Sequence, residues 1–215
     1  MARGRYARIL LLHFSLTSWF CTHILIPVTP QYKIRPRPDP KRKSETEWMT
    51  HDEIQAECMK ETEHWVDTGT GSLGKIHVEV LGCDGLPNLD AGGFLGNKTD
   101  TFVALVFEDC YVRTDVIDDC LSPRWLPWTT RGFTFRIYHS SSQLLLGVFD
   151  YDSGLDDHDL IGRVSVDVTN LLRNTTYVLS YNIYPSSRIS GRECQGKVCC
   201  MNFRNAIDFP CSDFA

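Results

Sequence analysis

The sequence contains none of the short motifs that mark the commonest catalytic sites. There is no G-x-S-x-G nucleophile turn, no H-E-x-x-H zinc pair and no complete G-x-x-x-x-G-K-[ST] phosphate loop. The seven histidines stand apart from candidate nucleophiles. The sequence therefore predicts a protein that is not an enzyme.

Basic residues are also in the minority, since 22 Lys and Arg face 27 Asp and Glu, a net charge of −5. This acidic balance gives no support for a nucleic-acid partner, and none is expected. The nine cysteines include no C-x-x-C pair, and the four in the tail have no neighbouring histidine, so zinc is not predicted. Their odd number also fits a fully paired secreted monomer poorly.

An apolar stretch, Ile9–Val28, contains no Asp, Glu, Lys or Arg. Twenty helical residues span about 30 Å, which is enough for a transmembrane anchor. Arg3, Arg5 and Arg8 ahead of a Leu-rich core equally describe a cleaved secretory signal, and a third alternative is neither. More bases follow the stretch than precede it, which favours an anchor with the downstream part in the cytosol. The alternative location is the secretory pathway.

Four regions are predicted along the chain: a hydrophobic N-terminal segment (1–30), a basic Pro-rich linker with a short helix (31–72), a β-domain (73–185) and a Cys-containing tail (186–215). Thr50–Glu53 forms a capping box that predicts a helix through about Val66. Gly69–Gly74 matches G-x-G-x-x-G, but a helix precedes it and a strand follows. The nucleotide-binding interpretation needs the reverse order, so a linker is predicted.

The most unusual stretch is Asp150–Gly162, which contains five aspartates within its first ten positions. At about 4 Å and an effective dielectric of about 20, two like charges repel by roughly 4 kcal/mol. Such a loop is either fully solvated or suited to a hard cation, and calcium is the natural candidate. An EF-hand is excluded, because Gly154 takes the fifth ligand position and Ile161 replaces the bidentate Glu.

Strand-like segments surround this acidic stretch. Lys75–Val80 alternates with period two, and Asn97–Phe107 is β-branched, aromatic and nearly continuous. Further alternating segments are Phe133–Ile137, Gln143–Phe149 and Arg163–Val168. These segments predict an all-β sandwich or barrel.

The order of four motifs resembles the calcium-dependent phospholipid-binding C2 domain. They are G-L-P-N-L-D at Gly85–Asp90, K-T-D-T-F-V at Lys98–Val103, L-S-P-R-W at Leu121–Trp125 and F-D-Y-D…H-D-L-I-G at Phe149–Gly162. The resemblance covers Gly74–Pro185. It implies an eight-stranded antiparallel β-sandwich with calcium loops at one end. Its last strand has one candidate segment, Gly196–Arg204.

The resemblance also implies calcium as the cofactor and names its ligands. They are Asp90 and Asp100 from the first loop and Asp150, Asp152 and Asp159 from the third, with Asp157 competing with Asp159. In the family, apolar side chains at the loop tips dip into the bilayer. Here those side chains are Phe94, Leu95 and Leu155, with folding of Phe94 and Leu95 back onto the sandwich as the alternative.

The negative charge of the β-domain supports a calcium-dependent switch in membrane binding. Residues 73–185 carry fifteen acids and eight bases, a net charge of −7. The leading hypothesis is a membrane-tethered module that binds calcium and then an anionic phospholipid membrane, linking two membranes or lying flat on one. A rival is a calcium-insensitive domain that binds a protein partner. A third is the regulatory fragment of a lipid-modifying enzyme.

Overall fold

The computed structural model describes residues 33–35, 49–90, 98–152, 158–168, 171–172, 175–185 and 196–206; for 33–35 and 199–206 it describes the backbone alone. Ile9–Val28, Phe94, Leu95, Leu155 and Asp157 lie outside these ranges. Within them, no helix is both long and apolar enough to cross a membrane.

The described residues contain one helix and eleven strands. The helix is α1 (His51–Cys58). The strands are β1 (Lys33–Arg35), β2 (Trp65–Asp67), β3 (Gly74–Asp84), β4 (Thr101–Phe107), β5 (Cys110–Arg113), β6 (Val116–Asp118), β7 (Gly132–Ile137), β8 (Gln143–Asp150), β9 (Leu160–Asp167), β10 (Thr176–Asn182) and β11 (Lys197–Ala206).

The strands form two sheets, which confirms the predicted β-sandwich. The first sheet has the order β1-β6-β4-β8-β9, with β5 also paired to β4. The second has the order β10-β11-β3-β7-β2. The strand pairs are antiparallel apart from β2 with β7, which is parallel.

The core lies between the sheets because inward and outward residues alternate along the long strands. On β3, Ile76, Val78 and Val80 are buried, and on β8 Leu144 is buried beside the exposed Leu145. Trp125 is fully buried in the core, and its indole N–H donates to the carbonyl of Asp115 at 2.7 Å. The alternation visible in the sequence therefore marks the core correctly.

The C-terminal strand lies inside the second sheet. β11 pairs with β3 on one side and with β10 on the other. Gly196 precedes it with a φ of +117°, where an added Cβ would lie 2.8 Å from the carbonyl oxygen of Asp84. The neighbour of β3 is thus the last described strand. This strand comes from the C-terminal tail, where the sequence offered Gly196–Arg204 as the candidate.

Two predicted boundaries are wrong. The helix ends at Cys58 rather than near Val66, because Arg131 binds the carbonyls of Cys58 and Lys60 and Glu79 accepts the N–H of Thr62. These contacts hold the segment after the helix in an extended conformation, and this segment leads into β2. The strand predicted over Lys75–Val80 continues to Asp84, because β11 pairs with it there.

Candidate metal centre

The acidic loops meet at one end of the first sheet. β4 begins where β8 ends, since Thr101 pairs with Asp150, and β9 begins opposite Phe149. Antiparallel neighbours share an end, so the residues before β4, after β8 and before β9 are brought together. We call this cluster the acid pole: Asp90, Asp100, Asp119, Asp150, Asp152 and Asp159.

Backbone hydrogen bonds join the first and third loops at the acid pole. The N–H of Asp100 donates to Oδ1 of Asp150 at 2.7 Å. The N–H of Tyr151 donates to the carbonyl of Asp100 at 2.7 Å, and that of Asp150 to the carbonyl of Asp159 at 2.8 Å. Three of the predicted ligand residues are therefore in direct contact.

Thr99 shapes the first loop, from which Asp90 comes. Its buried hydroxyl donates to the carbonyl of Pro87 at 2.9 Å and accepts the N–H of Leu89 at 3.0 Å. Burial raises the pKa of Asp90, and the charges of four other pole aspartates raise it further: Asp100, Asp152, Asp119 and Asp159. Asp90 thus lies within the electrostatic reach of the third loop.

The pKa of Asp150 is strongly raised. The residue is 2% exposed, and burial together with the charges of Asp90, Asp152 and Asp100 raises its pKa to about 6. The hydrogen bond from Asp100 opposes this rise by stabilising the carboxylate. Burial, and after it the neighbouring negative charges, therefore disfavour the ionised form of Asp150.

Asp119 belongs to the pole although the sequence did not single it out. Its N–H donates to Oδ1 of Asp100 at 2.8 Å, and its own Oδ1 accepts the N–H of Lys98 at 3.3 Å. Its φ of 53° lies in the left-handed region, and the N–H of the next residue, Cys120, donates to the carbonyl of Thr99 at 3.1 Å. The adjacent acids Asp118 and Asp119, between a strand and the L-S-P-R-W motif, were the signal that could have found it.

Aromatic rings support the third loop from the outer face of the first sheet. Phe102 stacks on Phe149 at 5.4 Å, and the guanidinium of Arg113 lies 5.5 Å from the Phe102 ring. Tyr151 and His158 stack at 4.8 Å, and Nδ1 of His158 accepts the N–H of Asp152 at 3.3 Å. Both described ends of the loop are therefore held in place.

The pole fits calcium in the type and charge of its donors, because carboxylate oxygens are preferred calcium ligands. The side chains are not closed around one point, since no three His, Cys, Asp or Glu side chains among the described residues form a group able to hold an ion. Asp157, the sixth predicted ligand, lies outside those residues. The described part of the pole thus supplies carboxylate donors of the type that calcium prefers.

The family model for the C2 domain matches residues 74–183, about half of the chain, and those residues include both acidic loops. The chain belongs to the C2 domain family. Its C2 domain resembles the plant Extended Synaptotagmin 1 C2A domain with a TM-score of 0.54 and 17% identity, covering 64% of this chain and 98% of that structure. This likeness supports the fold.

Two relatives are larger proteins. Multiple C2 domain and transmembrane region protein 12 of Arabidopsis thaliana is 25% identical over 53% of this chain, and the match covers 14% of that protein. Human C2 domain-containing protein 5 is 31% identical over 46% of this chain, and the match covers 10% of it. The chain therefore spans only a small part of the relatives that it matches.

Proposed function

We propose that this C2 domain binds anionic phospholipid membranes in response to calcium. The supporting observation is the acid pole, where Asp90, Asp100, Asp150, Asp152 and Asp159 interact through hydrogen bonds or charge. Burial and the charges of three neighbouring aspartates raise the pKa of Asp150, so its ionised form lacks compensation in the folded chain. A divalent cation would supply the compensating positive charge.

The pole's residues have separate parts in this proposal. Asp150 and Asp100 bridge two loops, so their carboxylates would form the base of the site. Asp90, Asp152 and Asp159 would close it from the sides, and Asp157 would compete with Asp159. Calcium, when bound, would cancel part of the net −7 of residues 73–185 and bridge to lipid phosphates.

Membrane contact would also involve apolar loop tips. In the sequence, Phe94 and Leu95 lie between Asp90 and Asp100, and Leu155 lies between Asp152 and Asp157. We propose that these three apolar side chains insert between lipids. Two buried side chains contribute on the order of 3 to 6 kcal/mol by area transfer, before the cost of ordering the loops. With Ile9–Val28 as an anchor, the domain would work at a membrane from the cytosolic side.

Co-sedimentation with phosphatidylserine-containing vesicles tests the calcium step. We expect the unaltered chain to pellet with vesicles in calcium above its level in chelator, and Asp152→Asn to lose that increase. Asp109→Asn is the matched control, because Asp109 is 65% exposed and pairs with Arg136. To remove any contribution of the N-terminal stretch, residues 49–215 are compared as well. Equal pelleting by the unaltered chain in calcium and chelator would contradict the proposal.

A second candidate function is a calcium-independent protein-binding domain. The observation that favours it is that the described carboxylates do not already form a three-ligand group. Under this alternative, calcium leaves the melting temperature unchanged, whereas the first proposal predicts a rise. A ligand at one hundred times its dissociation constant stabilises the folded state by about 2.7 kcal/mol. Calorimetry with and without calcium therefore separates the two candidates.

A further inference from the structure

We propose that the pairing of Lys33–Arg35 with the edge of β6 directs the N-terminal region of the chain to the acid pole. The pairing is antiparallel, with Lys33 opposite Asp118, Ile34 opposite Ile117 and Arg35 opposite Val116. The inference rests on the proposed function for its consequence at a membrane, but not for the pairing itself.

The edge of β6 is suited to an added strand. With β1 paired to them, Val116, Ile117 and Asp118 are 4%, 0% and 7% exposed, and the other described neighbour of β6 in the sheet is β4. An uncovered edge presents unpaired N–H and C=O groups that invite pairing with other chains. Pro36, directly after β1 in the sequence, has no N–H to donate to a neighbouring strand.

The direction of β1 determines where the N-terminal region arrives. β6 runs toward Asp118, and the next residue, Asp119, donates its N–H to Asp100 in the acid pole. Because β1 is antiparallel to β6, its first residue, Lys33, lies at that same end. The chain before Lys33 therefore joins β1 at the end nearest the acid pole, and the chain after Arg35 joins it at the opposite end.

The short connection between Val28 and Lys33 limits how far the end of the apolar stretch can lie from β1. Four residues, 29–32, separate Val28 from Lys33, so the two Cα atoms are at most about 18 Å apart in any conformation. β1 lies two strand spacings, about 10 Å, from β4, which begins directly after Asp100. If Ile9–Val28 enters a membrane, the acid pole is held beside that membrane. The domain would then dock on the membrane that anchors it rather than link two membranes.

Chemical cross-linking of the full chain tests the strand pairing. The pair Lys33→Cys and Asp118→Cys, in a Cys120→Ser background, should react efficiently with a short thiol-to-thiol linker, because facing Cα atoms are about 4.5–5.5 Å apart. The control pair is Lys33→Cys with Asp109→Cys, since Asp109 follows β4 at its other end. Peptide mapping identifies the products. A yield for the Asp118 pair no higher than for the control pair would overturn the proposal.

A proline variant tests the consequence. Neighbouring residues of a strand point their N–H groups to opposite sides, so Ile34→Pro with Arg35→Pro removes one N–H that faces β6 whichever way β1 is turned. We expect this variant to lose the cross-link between positions 33 and 118 and to keep its melting temperature. An unchanged cross-link would overturn the pairing.

Clustering of vesicles then measures the orientation. With the full chain inserted in one vesicle population and anionic acceptor vesicles added, calcium should cluster vesicles severalfold more with the proline variant than with the unaltered chain. Equal, calcium-dependent clustering by both would overturn the orientation. No calcium response in either, with the cross-link intact, would count against the proposed function and leave the strand pairing supported.

Discussion

At the scale of single residues, the surroundings of Asp150 show how the fold favours the binding of a cation. Its carboxylate is nearly inaccessible to water and faces three other aspartates, yet it accepts a hydrogen bond from the Asp100 N–H. The pKa of Asp150 rises from an ordinary value of 3.8 to about 6. In the unfolded chain the same group ionises freely, so its charge at neutral pH opposes folding unless a cation compensates it.

This rise predicts a pH dependence of the metal-free protein. Asp150 is protonated in both states below about pH 4, and between about pH 4 and pH 6 the unfolded chain loses its proton first. The free energy of unfolding should therefore fall as pH rises through this window. Asp150→Asn removes the effect and should stabilise the metal-free fold at pH 7 by about 1 to 3 kcal/mol. Urea unfolding in chelator at pH 5 and pH 7 measures both.

The same variant should lose calcium-dependent vesicle binding, because its amide carries no charge. Asp109→Asn, on the exposed surface, should change neither property. A variant at Asp150 that is less stable than the unaltered chain at pH 7 would contradict the electrostatic account, whatever its calcium response.

At the scale of elements, α1 and β2 are attached to the sandwich by a buried ion pair. The Arg131 and Glu79 side chains are 0% and 1% exposed and lie 3.1 Å apart. Arg131 also donates to the carbonyls of Cys58, Lys60 and Trp125. One guanidinium thus fixes the end of the helix, the segment after it and the neighbouring core.

Arg131→Met should be strongly destabilising, because it leaves a buried carboxylate and several carbonyls without their donor. A loss on the order of 3 to 5 kcal/mol in the free energy of unfolding is expected. Arg136→Met is the matched control, since Arg136 pairs with the exposed Asp109 at 3.2 Å, and such pairs contribute roughly 0 to 1 kcal/mol. Denaturant unfolding measures both, and equal losses would refute the role given to Arg131.

At the scale of the whole molecule, β11 completes the sandwich. It lies between β3 and β10, so its backbone groups satisfy both neighbours. Without it, β10 has no partner strand in its sheet and β3 becomes an edge. The fold of the C2 domain therefore depends on residues beyond the matched range of 74–183.

Truncation tests this dependence. A chain ending at Pro185 should fail to show a cooperative thermal transition, because β3 and β10 lose their shared neighbour. A chain ending at Ala206 retains all of β11 and should melt like the full chain. Circular dichroism with heating distinguishes the two, and a cooperative transition in the shorter chain would show that β11 is dispensable.

Local patterns in the sequence determined the elements whose causes are local. The alternation in β3, β7 and β8 marked the strands and their buried faces, since a sheet with one face in the core requires period two. Thr50 and Glu53 predicted the helix start, and the structure contains their reciprocal capping bonds. The order of the acidic and L-S-P-R-W motifs was enough to identify the family.

Contacts between distant residues decided the rest. Arg131, more than seventy positions away, ends the helix that local spacing would have continued, and β11 extends β3 beyond the predicted strand Lys75–Val80. Asp119 joins the acid pole only because β6 and β4 pair, and Lys33 reaches that end of the sheet only through the edge of β6. Local sequence carries propensity and periodicity, whereas these positions follow from which strand ends the tertiary fold places side by side.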